Sequence, residues 1–257
     1  MTATRVRGAR DPVGWVRGRD RVAGLRLNLL STFGLVCDGV SVPLPMSVRR
    51  VVAFIALCRQ PRERVYVAGC LWLDTPEERA QANLRSALWR LRRVGYPLIS
   101  ANASQLQLDP AVEVDLHEVE ALAQQTLDDE TGPPPDLDAS VFDGDLLPDW
   151  YDDWVLLERE RFRQLRLRAL DVLCDRLTRA GRHREAIEAG HAAVAAEPLR
   201  ESAHRALVQV HLAEGNAAEA IRQYRVFRQL VSEHLGVAPS AQMEALIRGI
   251  DASVTGS

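Results

Sequence analysis

Between residues 25 and 44 apolar positions come in short runs broken by turn formers. Residues 25–30 and 33–37 predict two strands around Ser31-Thr32, and residues 40–44 predict a third after the turn signal Asp38-Gly39. Three small strands cannot hide an apolar face alone, so helices must cover them. Residues 48–58 are apolar over helix length, and Pro61 closes that region. Residues 65–73 predict a second helix with Trp72 at its apolar end, where it is expected in the core. Asp74 or Thr75 is then placed to cap a third helix running to about Val94, with Pro76 at its first position and Glu77 and Glu78 near its positive end. At about 100° per residue, Ala80, Leu84, Ala87, Leu88, Leu91 and Val94 share one arc of about 120°. The rest of the wheel carries Gln81, Asn83, Arg85, Ser86, Trp89, Arg90, Arg92 and Arg93. Gly95 and Pro97 end the helix, and residues 98–100 and 106–108 pair as a hairpin around Asn102-Ala103-Ser104.

Strands, three helices and a hairpin are the order of an α+β winged helix with a small N-terminal sheet. Beyond Asp109-Pro110 the pattern becomes helical. Residues 116–127 predict one helix, and residues 128–140, with three consecutive prolines and several acids, predict a loop. Residues 146–154 carry Trp150, Tyr151 and Trp154, either as a buried junction or as an interface patch. A long helix follows to about Arg179. Then a block repeats: residues 181–187 align with 215–221, and Ala169 with Ala203 and Leu173 with Leu207 keep the same offset of 34. That is the period of tetratricopeptide helix pairs, which bury a core only by stacking. The expected organisation is a flexible basic tail over 1–24, a winged helix over 25–110, an all-α tetratricopeptide-like part over 111–250, and a tail over 251–257. Each of the two larger parts is expected to fold alone.

Charge sharpens that division. Residues 1–110 hold 17 arginines against 8 acids, and residues 111–257 hold 15 against 27, so a front of +9 meets a rear of −12. A basic front and an acidic rear suit different partners. All 32 basic residues are arginine. Mechanisms that require lysine, such as the phosphate-loop cation or a Schiff base, are thereby excluded. The longest apolar run, residues 51–58, is far below the roughly 20 residues of a membrane span. No membrane span and no secretory signal are expected, and the compartment reads as reducing and cytoplasmic, because the four cysteines at 37, 58, 70 and 174 lack C-x-x-C spacing. The six histidines, at 117, 183, 191, 204, 211 and 234, form no motif with metal spacing. No catalytic site, cofactor or metal is expected.

The third helix carries the chemistry. The major groove is about 12 Å wide and admits one helix, and arginine bonds a guanine edge bidentately. Arg85, Trp89 and Arg92 lie on one face, one and two turns apart. Ser86 and Asn83 suit base edges or phosphates, and Arg90 and Arg93, toward the flanks, suit phosphates. Arg49 and Arg50, at the start of the first helix, are placed to reach backbone. Trp89 reads either as a DNA contact or as packing onto residues 65–73.

From about Leu25 to Ile250 the chain resembles the small actinobacterial antibiotic-regulatory family of transcriptional activators. In front the resemblance rests on Leu29-Leu30-Ser31-Thr32-Phe33-Gly34-Leu35, on Asp38-Gly39, on residues 65–72 and on residues 82–93. Val114-Asp115-Leu116 marks the entry to the rear part. There it rests on residues 154–168, on Pro198-Leu199-Arg200-Glu201, on Ala220-Ile221-Arg222-Gln223-Tyr224-Arg225 and on Leu235-Gly236-Val237-Ala238-Pro239-Ser240. The hairpin departs from the family in lacking its Gly-Tyr step, and Trp89 stands where a small polar residue is common. The resemblance implies a response-regulator-like winged helix joined to a bacterial transcriptional activation domain. It further implies a DNA-binding activator of antibiotic biosynthesis genes that binds repeated promoter half-sites as a dimer and engages RNA polymerase holoenzyme. A repressor of the same fold and a protein-interaction adaptor without DNA binding are the alternatives.

Overall fold

In the computed structural model, residues 24–128 and 137–254 are described. β1 (Leu25–Asn28) pairs antiparallel with β2 (Gly34–Cys37), and β2 with β3 (Val40–Ser41). Leu25 and Leu27 of β1 are buried while Arg26 and Asn28 lie half-exposed between them, the period of two that the sequence showed. Asp38 and Gly39 close the β2–β3 hairpin with φ of 49° and 80°. Positive φ at both positions gives the turn whose hand matches the twist of the strands. β3 is shorter than its prediction. Val42 N–H still reaches the Leu35 carbonyl at 2.8 Å, but Pro43 has no N–H to continue the ladder.

α1 (Met46–Cys58), α2 (Arg64–Leu71) and α3 (Glu77–Val94) follow, and this sheet packs with Val48, Val52, Ala53 and Ala56 of α1 and Leu91 of α3. Pro76, expected inside α3, takes the cap position itself, and its carbonyl accepts from Arg79 and Ala80 N–H, each at 2.9 Å. Gly95, at φ 90°, ends α3. β4 (Arg62–Glu63), which the sequence did not reveal, joins β5 (Ile99–Ala101) and β6 (Gln105–Leu108) in a second sheet of order β4-β6-β5. β7 (Val112–Val114), also unforeseen, runs parallel to β1, with Leu25 opposite Val112 and Leu27 opposite Val114.

α4 (Asp115–Asp128) follows, then a single 3-10 turn (Ala139–Phe142). After it come α5 (Asp153–Arg179), α6 (His183–Ala196), α7 (Glu201–Ala213), α8 (Ala217–Leu235) and α9 (Ala241–Val254). The repeat is structural. Ala169 and Ala203, Leu173 and Leu207, and Ala186 and Ala220 are matched and fully buried. Gly181 and Gly215 turn the chain between paired helices at φ 74° and 83°.

Beside apolar clusters of their own, the two halves share one. Leu146, Leu147, Trp150, Val155 and Phe162 pack in one cluster with Leu25, Leu27, Leu29 and Leu98. Phe33 stacks on Trp150 with centroids 5.7 Å apart, and Trp154 meets Phe54 edge-on at 5.2 Å. Trp150 and Trp154 thus form a junction, whereas Tyr151 is exposed. Trp72 is half-buried against α1 and α3 and not enclosed. Arg159 ties the junction by donating to the carbonyls of Leu146 at 2.7 Å and Trp150 at 2.8 Å, and to Leu147. The basic tail expected over 1–24 lies outside the described residues, Gly24 excepted, as do residues 129–136 of the loop expected over 128–140, whose ends instead belong to α4 and the 3-10 turn.

Candidate nucleic-acid interface

α3 is held by its apolar arc. Ala80, Leu84, Ala87 and Leu88 pack with Val51, Phe54 and Ile55 of α1 and Val67, Ala68 and Leu71 of α2. Burying that arc turns the other side outward. Arg85, Ser86, Trp89, Arg90, Arg92 and Arg93 are all exposed, and Asn83 is half-buried. Glu77 and Glu78 occupy the first turn and Arg92 and Arg93 the last, so both ends complement the helix dipole.

The individual side chains divide by what they touch. Trp89 stands out with 58% of its surface exposed and does not fold onto α2. The Arg93 guanidinium lies 4.9 Å from the centre of its ring. Arg90 reaches sideways to Ser47 at the start of α1, at 3.3 Å. Among the described residues, no carboxylate is in ion-pair range of Arg85, Arg90 or Arg93.

Arg49 and Arg50 are differently placed from their expectation. Arg49 donates from Nε to the Leu44 carbonyl at 2.8 Å and lies over the Phe33 ring. Arg50 donates to the Leu71 carbonyl at 2.8 Å and to Asp152 at 2.5 Å, with its side chain 25% exposed. Both guanidinium groups are therefore engaged within the protein. Sequence spacing put them at a helix start but could not supply Asp152, which is 102 residues away.

Arg64 was missed. It opens α2, and its N–H donates to the Ser104 carbonyl at 2.7 Å, fastening α2 to the tip of the β5–β6 hairpin. Burial, and then the positive fields of Arg92 and Arg85, draw its pKa below the usual arginine value. Arg64 and Arg85, from two helices, line one depression with Ala103 and Ser104 of the hairpin tip. The signal is in the sequence, since Arg64 directly precedes the apolar run 65–73 and α2 extends one residue ahead of that run. The hairpin tip is itself ordered by Asn102, whose side-chain oxygen accepts from Ser104 N–H at 3.0 Å and Gln105 N–H at 2.6 Å.

Other candidate chemistry is absorbed by the core. Burial pushes the Cys174 thiol up to about 12, far from a reactive thiolate. His204 is enclosed, with Nε2 2.9 Å from the Pro198 carbonyl and Nδ1 2.7 Å from the Gln223 amide. His117 Nε2 lies 2.9 Å from the Ala56 carbonyl. Among the described residues no group of His, Cys, Asp and Glu is arranged to hold a metal, and no helix is long and apolar enough to cross a membrane.

Comparison with known proteins agrees with this architecture. A family model described as bacterial transcriptional activator domain matches residues 114–251. Regulatory protein AfsR of Streptomyces griseus is 27% identical over 192 residues, which cover 68% of this chain and 19% of that protein. The structure of Mycobacterium tuberculosis EmbR in complex with a low affinity phosphopeptide matches with a TM-score of 0.68 at 20% identity, over 90% of this chain and 66% of that one. The chain thus spans about a fifth of the length of the first relative and just under two thirds of the second. The likeness to the second is one of fold. The activator-domain match takes in more than half of the residues and begins where β7 ends and α4 starts, so the chain belongs to the bacterial transcriptional activator domain family.

Proposed function

We propose that the protein is a sequence-specific DNA-binding transcriptional activator that lays α3 in the major groove. The observation that carries this reading is the outward face of α3, where Arg85, Trp89, Arg90, Arg92 and Arg93 are all exposed, with half-buried Arg64 lining one depression with Arg85. Gathering like charges is unfavourable in the free protein and becomes favourable against a polyanion, where each phosphate contact releases counterions. Arg85 and Arg92 are seven residues apart, so they point within about 20° of each other and are separated by about 10.5 Å of rise. That matches roughly three base-pair steps. Arg85 and Arg92 read base edges, with Asn83 and Ser86 beside them. Arg64, Arg90 and Arg93 hold phosphates, and the Arg93–Trp89 stack lies along the backbone. Arg49 and Arg50 drop out of this set because their guanidinium groups are used inside the protein.

One helix reads only a few base pairs, so two protomers bind repeated promoter half-sites head to tail. The acidic helical pairs, turned away from DNA, engage RNA polymerase holoenzyme. Footprinting on the neighbouring genomic promoters, with and without polymerase, tests the assignment as an activator. Arg85→Ala is expected to cost ~1–3 kcal/mol at the cognate site and to loosen preference at one base pair. Arg93→Ala is expected to weaken all duplexes evenly and to lower the salt slope by about 1. Full base preference in Arg85→Ala alongside lost preference in Arg93→Ala would put the reading face on the wrong side of α3. Absence of any salt-dependent duplex binding would leave an adaptor.

A further inference from the structure

The C-terminal end of α3 and the strand β5 enclose a cleft of about 520 Å³. That size falls in the range of about 300–1,000 Å³ in which proteins hold small molecules. Leu88, Leu91, Leu98 and Ile99 line it with apolar side chains, and Tyr96 adds a ring. Polar groups meet that lining from two sides. Exposed Arg92 stands on the helix side. On the other side β5 is the outermost strand of its sheet. Asp109 N–H donates to the Leu98 carbonyl at 2.9 Å, and Asn102 N–H to the Gln105 carbonyl at 3.1 Å. Backbone groups of even-numbered residues therefore face β6, and Ile99 and Ala101 turn their N–H and C=O groups to the open edge. An apolar hollow with a few polar groups at its margin is the form that small-molecule sites take.

We infer that this cleft binds a small apolar carboxylic acid, with its body on Leu88, Leu91 and Ile99 and its carboxylate on Arg92. The sign of the ligand's charge follows from what each charged group of the cleft already does. Asp109 also lines it, but Ser100 Oγ–H donates to Asp109 Oδ2 and Ala111 N–H to Oδ1, each at 3.0 Å. Both carboxylate oxygens thus have donors of the protein's own, and a cationic ligand has to compete with them. The C-terminal end of a helix carries about half an elementary negative charge. Arg92 and Arg93 in the last turn of α3 carry two whole positive ones, so this end as a whole favours an anion. A guanidinium holds a carboxylate by two parallel bonds, which fixes the ligand's orientation as an apolar lining alone does not. The outward N–H groups of Ile99 and Ala101 are further donors at the strand edge. The site stands independently of the DNA reading. One consequence rests on that reading: Arg92 is also assigned to base edges, so a bound acid and a duplex compete for one guanidinium.

The probe is 2-naphthoate, with 2-naphthamide as its uncharged counterpart. Titrated into the full chain without DNA, naphthoate is expected to bind saturably and to shift the amide resonances of Ile99 and Ala101, with those of α8 unmoved. Naphthamide on the unaltered protein, and naphthoate on Arg92→Gln, are each expected to bind at least about tenfold more weakly, because each lacks the charge-assisted pair. Arg92 is exposed, so its replacement leaves the packing of α3 in place, and the naphthamide arm needs no substitution. Absence of saturable binding at millimolar naphthoate overturns the inference. So does equal binding of naphthamide, or a set of shifts that leaves out Ile99 and Ala101. At saturating naphthoate a promoter duplex is expected to bind at least about tenfold more weakly, and unchanged duplex affinity overturns the competition. A chain that binds naphthoate as expected but binds no duplex supports the site and overturns the DNA reading alone.

Discussion

Asp115 is one of the polar ties between the two halves. It opens α4, yet its oxygens accept from the backbone of the strand end in the first sheet: Leu29 N–H at 2.8 Å and Leu30 N–H at 3.1 Å. Leu29 is fully buried and Leu30 half-buried, so water offers the first no substitute and the second a partial one. A hydrogen bond to a charged group contributes about 1.5–3 kcal/mol, and an orphaned buried donor costs about 1–3 kcal/mol. Asp115→Ala is therefore expected to destabilise the protein by about 2–4 kcal/mol. Asp115→Asn keeps one carbonyl acceptor and is expected to cost about half as much. Glu118→Ala is the control, because its ion pair with Arg26 is 50% and 43% exposed and is worth below about 1 kcal/mol. Urea denaturation of the full chain reads these values as midpoint shifts at constant slope. If Asp115→Ala costs no more than Glu118→Ala, the carboxylate is not such a tie.

Three further outcomes follow from the packing. A chain ended at Pro110 loses β7 and the Leu146, Leu147 and Trp150 side of its core, so it is expected to show no cooperative thermal transition by circular dichroism; a sharp transition would restore the expectation of independent folding. Gly190 sits where an added Cβ would lie 2.5 Å from Leu207 Cδ2 and 2.8 Å from its Cγ, so Gly190→Ala is expected to lose about 1–2 kcal/mol net of its helix-propensity gain. That cost should vanish in a Leu207→Ala background, and an unchanged cost would place the strain elsewhere. Burial, the larger cause in both cases, holds the pKa of His204 and of His117 below the ordinary 6.5, so each stays neutral when folded and takes up a proton when unfolded. Stability is then complete above about pH 6.5 and falls as pH drops from there toward the folded values. His117→Gln should flatten that acid-side loss in a series of denaturation midpoints, and an unaltered slope would refute its part.

What the sequence made legible was local. The alternation of β1, the Asp38-Gly39 turn, the apolar arc of α3 and the 34-residue offset each lie within one element or between two like elements. Their physical cause is a fixed period or a fixed turn, so they show without a partner. β4 and β7 were not legible because they are two and three residues long. Strands so short carry no periodicity, and only the strands beside them define them. The candidate interface divides in the same way. The outward face of α3 followed from its own wheel. The fates of Arg49 and Arg50 depended on Leu44, Phe33, Leu71 and Asp152, and the recruitment of Arg64 depended on side chains brought in by α3. The charge split between halves was read correctly as arithmetic, but it suggested separable folding, which a shared apolar core opposes.

That core bears on how such a regulator would act. Domains joined by a linker move relative to one another unless a large apolar interface holds them. Here Phe33, Trp150, Trp154 and Phe54 form a continuous aromatic row, with successive centroids 5.7, 6.1 and 5.2 Å apart. Arg50 bonds Asp152 at the N-cap of α5 and also the last carbonyl of α2, so one guanidinium spans the winged helix and the long helix. α5 in turn carries the pairs α6 to α9. Under the proposed function, the register in which α3 seats on a base sequence fixes where the acidic helical pairs stand relative to the duplex. A flexible linker would blur this placement over its own length. Under the proposed function, activation then depends on the spacing and phase of the half-sites and not only on affinity for them. Inserting half a helical turn of DNA between a half-site and the polymerase site should abolish activation while leaving binding intact. Activation that survives the insertion would show that the junction bends, and that the rear helices reach their partner by flexibility.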